Sequence, residues 1–183
     1  MQDKKVLSVV IAALFAALTC VATMVITIPL PGVGFFNTGD CFVILSGILL
    51  GPVFGPLAAG IGAALADVLL SYVVYAPATF VIKALMALAA FGLFSVLKKA
   101  VKAPDAIAVV VAGVVAEIIM ILGYFVFETA LYGVAAAVPG LSGNAIQGAV
   151  GVILSTVILS VIIRNKYIRG FFATRSLGDS PRT

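Results

Sequence analysis

Residues 40–75 read DCFVILSGILLGPVFGPLAAGIGAALADVLLSYVVY, and this stretch decides the fold class of the chain. It is apolar almost throughout, yet it is too long for a single membrane crossing, which takes about 20 residues. Two glycine-proline pairs, at 51–52 and 55–56, interrupt it, and such pairs mark turns. We therefore predict a short second helix that ends near Leu50, a tight turn, and a third helix that reaches about Ser71. A re-entrant hairpin is the alternative interpretation.

The other apolar stretches are also long enough to be membrane-spanning helices. At about 1.5 Å per residue, the first exceeds a hydrocarbon core of roughly 30 Å. The predicted first, fifth and sixth spans are Val6 to Ile28, Ala106 to Leu131 and Gly143 to Ile163, and Pro77 opens the fourth. We predict an all-α integral membrane protein with six transmembrane helices. We expect residues 1–170 to form its membrane domain and residues 171–183 to form a polar, flexible tail.

The composition excludes several classes of function. Hydrophobic residues make up 63% of the chain and charged residues only 10%, whereas charged residues are about 25% of an ordinary soluble domain. There is no histidine and no G-x-x-x-x-G-K-[ST] phosphate loop. We therefore expect a protein that is not an enzyme, holds no metal or cofactor and leaves any ATP hydrolysis to partner subunits. Cys20 and Cys41 are interpreted as packing residues.

The basic residues predict how the chain lies in the membrane. They form three clusters, which are Lys4 and Lys5; Lys98, Lys99 and Lys102; and Arg164, Lys166 and Arg169. Cytoplasmic ends of membrane spans carry the Lys/Arg excess, and four spans followed by two put all three clusters on one side. Both termini are therefore expected in the cytoplasm of a prokaryotic cell, with outer loops at 31–38, 72–76 and 132–142. Because the membrane explains the net charge of +4, we expect no nucleic acid partner.

A small set of polar residues interrupts the apolar spans and predicts a binding pocket. A charge at the centre of a membrane helix costs roughly 3 kcal/mol, so such residues usually face a cavity, a partner or a ligand. Helical spacing puts the polar residues of the fifth span on one face and those of the sixth on another. We predict an outward-facing pocket for a small polar aromatic ligand, with a tyrosine as stacking surface. Its candidate residues are Asp67, Tyr75, Lys83, Glu117, Tyr124, Glu128, Asn144 and Gln147.

Some of these residues have a structural alternative. Asp67 and Lys83 lie at similar depths, so they could simply neutralise each other. Glu117 lies near the middle of its span, where a hydrogen bond between helices is as good an interpretation as ligand contact. Asp40 follows Gly39 at a helix start, so we interpret it as an N-cap.

The first span carries a face of small residues. Alanines spaced four apart let another helix approach closely, and such packing drives association in lipid. The candidates for docking a partner are Ala12, Ala13, Ala16 and Ala17.

Three segments resemble the substrate-binding S components of energy-coupling factor (ECF) vitamin transporters. They are LFAALTCVATM at 14–24, NTGDCFVILSGILLGPVFGPLAAGIGAALADVL at 37–69 and APATFVIKALMA at 76–87. The resemblance implies a six-helix bundle that holds a vitamin near its outer face. It also implies that the alanines of the first helix dock on a membrane scaffold subunit driven by two ATPase subunits. Asn37, Lys83 and Asn144 fall in the binding regions typical of the family.

The resemblance leaves the ligand open. The chain has no tryptophan, which disfavours thiamine because thiamine-binding members use one in the first loop. We prefer a pyridoxine-like or hydroxymethylpyrimidine-like ligand, with riboflavin as the other option. Two rival functions remain, a structural membrane subunit and a proton-coupled secondary transporter in which Glu117 and Asp67 relay protons.

Overall fold

Five long helices make up most of the protein. The computed structural model describes residues 2–26, 28–29 and 35–165. The helices are α1 (Gln2–Val25), α2 (Asp40–Leu69), α3 (Ala76–Val96), α4 (Asp105–Tyr132) and α5 (Val134–Arg164). A short antiparallel pair, β1 (Ile28–Pro29) with β2 (Phe35–Phe36), lies between α1 and α2, and a π-helical segment, Leu97–Val101, follows α3.

By length and composition, all five helices are able to cross a membrane. This confirms the predicted helical membrane architecture. The number of crossings and the side on which the termini lie stay predictions. Lys166, Arg169 and the tail at 171–183 lie outside the described residues.

The helix α2 is bent back on itself at Gly51. This residue has φ 82° and ψ −171°, a conformation that only glycine adopts easily. The Ser46 hydroxyl donates a hydrogen bond of 3.1 Å to the Gly55 carbonyl oxygen, although nine residues of straight helix would hold these positions about 13 Å apart. The two arms of α2 therefore pack side by side, with the turn at the predicted position. The first arm, 40–50, is about 16 Å long, which is short for a complete crossing.

Small residues hold α2 close to its neighbours. A Cβ atom added at Gly62 would lie 2.3 Å from the Ala16 carbonyl oxygen of α1, and one added at Gly47 would lie 2.1 Å from that of Ala87 in α3. Only glycine allows backbones to approach this closely, and such approach maximises packing between helices in lipid. The α2 arms therefore form the centre of the bundle.

The helix α5 begins nine residues earlier than the sequence predicted. The expected outer loop at 132–142 is wrong, since helix resumes at Val134 after a turn made by one residue, Gly133, with φ 84°. The three alanines at 135–137 have a high helix propensity, which favours helix over a loop in this segment. The helix α1 ends at Val25 rather than Ile28 because Ile28 pairs with Phe36 as part of β1.

Candidate functional site

A polar cavity lies between the helices, beside the turns that join α2 to α3 and the loop before α2. Every helix lines it. The lining residues are Thr23, Asn37, Ala63, Asp67, Tyr72, Tyr75, Thr79, Lys83, Tyr124, Glu128, Asn144 and Gln147. Eight of the nine residues predicted from sequence as ligand contacts are thus brought together, and Glu117 is the exception. The sequence did not predict the lining residues Thr23, Ala63, Tyr72 and Thr79. Tyr72 nevertheless lies in a predicted outer loop, and Thr79 is one turn before Lys83.

One chain of hydrogen bonds joins the loop before α2 to two helices. The backbone N–H and the side-chain amide of Asn37 donate to Gln147 Oε1 at 2.9 and 3.1 Å. Gln147 Nε2 in turn donates to Asp40 Oδ2 at 2.7 Å. The Asn37 side-chain oxygen accepts from the Gly39 N–H at 2.9 Å. The carboxamide of Gln147, a residue of α5, therefore binds the loop through its oxygen and α2 through its nitrogen.

Lys83 forms a buried ion pair with Asp40, and this pair bears on two interpretations made from the sequence. The side chains of Lys83 and Asp40 are only 4% and 1% exposed. Of the two interpretations left open for Asp67, direct pairing with Lys83 is not the one observed, because Asp40 is the ion-pair partner. Asp40 is not an N-cap either, since Gly39 occupies that position and no side-chain cap forms. The bundle turns the Asp40 carboxylate inward, where the Lys83 ammonium offsets the cost of burying it.

Three polar atoms around the cavity have no hydrogen-bond partner among the residues that the structure describes. They are Asp67 Oδ2, Glu128 Oε2 and the Tyr75 hydroxyl oxygen. Their residues are 4%, 3% and 8% exposed. A buried polar atom left unpaired costs about 1–3 kcal/mol, so such atoms point to a ligand that completes their bonding.

Aromatic side chains form one wall of the cavity. The Tyr75 ring packs edge-on against Phe127 at a centroid distance of 5.3 Å. Burial raises the pKa of the Tyr75 phenol, as does the nearby Glu128 carboxyl, so this hydroxyl keeps its proton. On the facing side, the Tyr124 and Thr79 hydroxyls are hydrogen-bonded at 3.0 Å, and Lys83 Nζ lies 5.5 Å from the Tyr124 ring centroid. Both tyrosines predicted as stacking surfaces therefore reach the cavity.

The cavity is narrow. It measures about 30 Å³, which is room for about two water molecules. Ligand pockets in proteins are about 300–1,000 Å³. A ligand larger than a few water molecules therefore requires the lining side chains to move apart as it enters.

Glu117 lies away from this cavity, between α4 and α5. It is 4% exposed, and neither carboxylate oxygen has a hydrogen-bond partner within the described part of the chain. A Cβ atom added at Gly151 would come within 2.7 Å of Glu117 Oε1, so glycine makes room for the carboxylate. The residue lines an apolar groove of about 370 Å³. It lies at the contact between two helices, as the structural interpretation expected, and both Glu117 and Asp40 pack against Gly151.

The structure separates the four alanines of α1 into two pairs. Ala12 and Ala16 are partly buried and pack against the core of the bundle. Ala13 and Ala17 are exposed on the outer surface of the helix. Only the second pair is therefore open to contact by a helix from outside this bundle.

Comparisons with known proteins agree with this architecture. The sequence profile of the family described as "ECF-type riboflavin transporter, S component" matches residues 3–164. A protein of Pyrococcus woesei, described as an uncharacterised protein in the gap 3' region, is 35% identical over 136 residues, which cover 73% of this chain and 86% of that protein. A structure titled "Structure and mechanism of the S component of a bacterial ECF transporter" superposes with a TM-score of 0.66 at 22% identity, over 90% of this chain and 98% of the other. At that identity, the superposition supports the fold alone.

A buried polar cavity inside a bundle of apolar helices defines a membrane-integral protein that binds a small molecule. The extent of the profile match makes the assignment more specific: the chain belongs to the family of ECF-type riboflavin transporter S components. It is therefore a transport protein rather than an enzyme.

Proposed function

We propose that this protein is the high-affinity substrate-binding subunit of an ATP-driven vitamin importer, and that its substrate is riboflavin. The observation that carries the proposal is the cavity, where buried polar atoms of Asp67, Tyr75 and Glu128 have no partner among the described residues. The family description favours riboflavin over the smaller pyridoxine-like or pyrimidine-like ligand preferred from sequence. The narrowness of the cavity implies that binding is accompanied by an outward movement of its walls.

The ligand contacts we propose are the cavity residues that keep bonding capacity. Asp67, Glu128 and Asn144 offer polar atoms, and Tyr75 and Tyr124 offer aromatic surface. Asn37 and Gln147 bond mainly to each other and to Asp40, so we propose that they shape the site.

Binding of a vitamin panel to the purified protein tests this function. Calorimetric titration with riboflavin, pyridoxine and hydroxymethylpyrimidine should give sub-micromolar affinity for riboflavin without ATP. Asn144→Ala should weaken binding about tenfold, because one hydrogen bond contributes about 1 kcal/mol and some packing is also lost. Ser142→Ala is the matched control, since Ser142 is on the same helix but exposed and outside the cavity. If no vitamin binds, or if this chain alone accumulates substrate in vesicles without ATP, the importer assignment fails.

We propose six crossings with both termini in the cytoplasm. The reversal of α2 at Gly51 supports this arrangement, because it brings both ends of α2 to the same side of the membrane, as the three basic clusters require. The basic segment that contains Lys98 lies at the end of α3 opposite Tyr75, which is the end away from the cavity. Under the positive-inside rule, the cavity then faces the outside of the cell.

We propose that Ala13 and Ala17 dock a membrane scaffold subunit that two ATPase subunits drive. Their exposure and their spacing of four support close helix contact. Ala13→Trp and Ala17→Trp should abolish transport by the assembled complex while riboflavin binding to the isolated subunit stays within about twofold. Val126→Trp, at an exposed position on α4, is the control and should leave both unchanged. Equal loss of binding and transport in the α1 variants would show that these alanines only support the fold.

A further inference from the structure

A second buried carboxyl group lies beside Asp40, outside the cavity. Glu117 of α4 is 4% exposed and packs against two glycines of α5. A Cβ atom added at Gly151 would lie 2.7 Å from Glu117 Oε1 and 3.0 Å from the Asp40 Cβ atom, so the two acidic side chains meet at the same point of α5. Neither oxygen of Glu117 receives a hydrogen bond from the described part of the chain. Its polar neighbour is therefore another acidic group rather than a donor.

One positive charge serves these two acidic side chains. The titratable groups that act on Glu117 from neighbouring helices are Asp40 and Cys41 of α2 and Lys83 of α3. The Lys83 ammonium is paired with Asp40, and a cysteine carries no positive charge in either protonation state. Helix α5 has no acidic residue, and its one basic residue, Arg164, lies in its last turn. Among the residues that the structure describes, no cation is thus left for an ionised Glu117.

The groove beside Glu117 is apolar and opens on the outer surface of the bundle. Its walls include Val114, Ile118 and Ile153, which are 45%, 49% and 62% exposed. In a membrane such side chains contact lipid tails, which cannot solvate a charge. Glu117 lies about 18 Å along α4 from Asp105, near the middle of this 28-residue helix. An ionised carboxylate without a cation is strongly disfavoured at that depth.

We propose that Glu117 is a proton-binding site, which keeps its proton at neutral pH and uses it to donate a hydrogen bond to Asp40. A protonated carboxyl group has one O–H donor, and the Asp40 carboxylate beside it is an acceptor. Where two carboxyl groups share a site, one of them holds its proton more tightly. The negative charge of Asp40 then balances the positive charge of Lys83. Glu117 becomes a third donor to Asp40, after Lys83 and Gln147, and joins α4 to their network.

The pH dependence of unfolding counts this proton. Glu117→Gln has nearly the same shape and keeps a donor toward Asp40, but it has no titrating proton. In the unfolded chain glutamate loses its proton at about pH 4.3, so folding of the unmodified protein at neutral pH takes up one proton that the variant does not need. The unfolding equilibrium constant of the unmodified protein, divided by that of the variant, should rise about tenfold per pH unit from about pH 5.5 to about pH 7.5. All other titrating groups are common to both proteins and cancel in this ratio.

Infrared spectra of the folded protein give a second readout. A carboxylic acid has a C=O stretching band separate from the bands of a carboxylate, so the spectrum of the unmodified protein minus that of Glu117→Gln should contain an acid band at neutral pH. Asp105→Asn is the matched control, because Asp105 is 40% exposed and pairs with Lys98. It should remove no acid band, and its unfolding constant relative to the unmodified protein should not change over the same pH range.

Each outcome decides the inference without reference to the vitamin that the cavity takes. A ratio that stays constant with pH, or a difference spectrum without an acid band, would overturn it, because Glu117 would then be ionised in the folded protein. Failure of Glu117→Gln to fold would overturn it as well, since a neutral donor of the same size would then be unable to replace the acid. Neither result would affect the vitamin-binding function proposed for the cavity.

Discussion

Removing the Lys83 ammonium should destabilise the fold strongly, because it leaves Asp40 charged and buried. The two side chains are 4% and 1% exposed, so water cannot replace the lost partner. Breaking a buried ion pair by removing one member costs about 3–5 kcal/mol. Gln147 still donates to Asp40 in the variant, so we expect Lys83→Met to cost about 3 kcal/mol, at the lower end of this range.

The double variant Asp40→Asn, Lys83→Met tests this reasoning. It removes both charges, and the Asn carboxamide oxygen can still accept from Gln147. Replacement of a buried ion pair by neutral groups is often neutral or stabilising, so the double variant should lie within about 1 kcal/mol of the unmodified protein. The double variant would then be about 2 kcal/mol or more stable than Lys83→Met alone, which shows that the two substitutions are coupled in their free energy of unfolding.

Reversible unfolding in mixed micelles, followed by circular dichroism, measures these free energies. Lys83→Met within about 1 kcal/mol of the unmodified protein would refute the claim that the ammonium neutralises Asp40. A double variant no more stable than Lys83→Met would refute it as well. Riboflavin titration of the double variant then reports whether the ammonium also contacts the ligand, since stability is recovered without it.

Two further predictions concern the bend in α2 and the orientation of the chain. Gly51→Ala should lower the free energy of unfolding by about 1–3 kcal/mol because φ is 82° there, whereas Gly92→Ala, with open space around it, should cost nothing. Equal effects of the two substitutions in the same unfolding assay would contradict the role of the bend. With both native cysteines replaced, Val74→Cys should react with an impermeant thiol reagent in intact cells, since Val74 is 62% exposed in the turn beside the cavity. Lys99→Cys should not react, and labelling there instead of at Val74 would reverse the proposed topology.

The fold class and most of the candidate site follow from local properties of the sequence. A membrane helix must satisfy its backbone hydrogen bonds internally and match the hydrocarbon thickness, so apolar length alone predicts the helices. The turn at Gly51 follows from glycine and proline chemistry. Polar side chains on membrane spans are costly to expose to lipid and therefore face the interior of the bundle. For that reason Lys83, Glu128 and Asn144 could be assigned to a cavity before its shape was known.

Tertiary packing alone decided which polar groups meet. Asp40 and Asp67 stand at opposite ends of α2, and its reversal at Gly51 brings both ends toward the cavity. Sequence spacing cannot tell which carboxylate then faces Lys83, because that depends on how α2 packs against α3. Tertiary packing also determined the position of Glu117, because its side chain lies against Gly148 and Gly151 of α5. Residues on one helix have distances set by helical geometry, whereas contacts between helices depend on rotations and offsets that only the packed bundle determines.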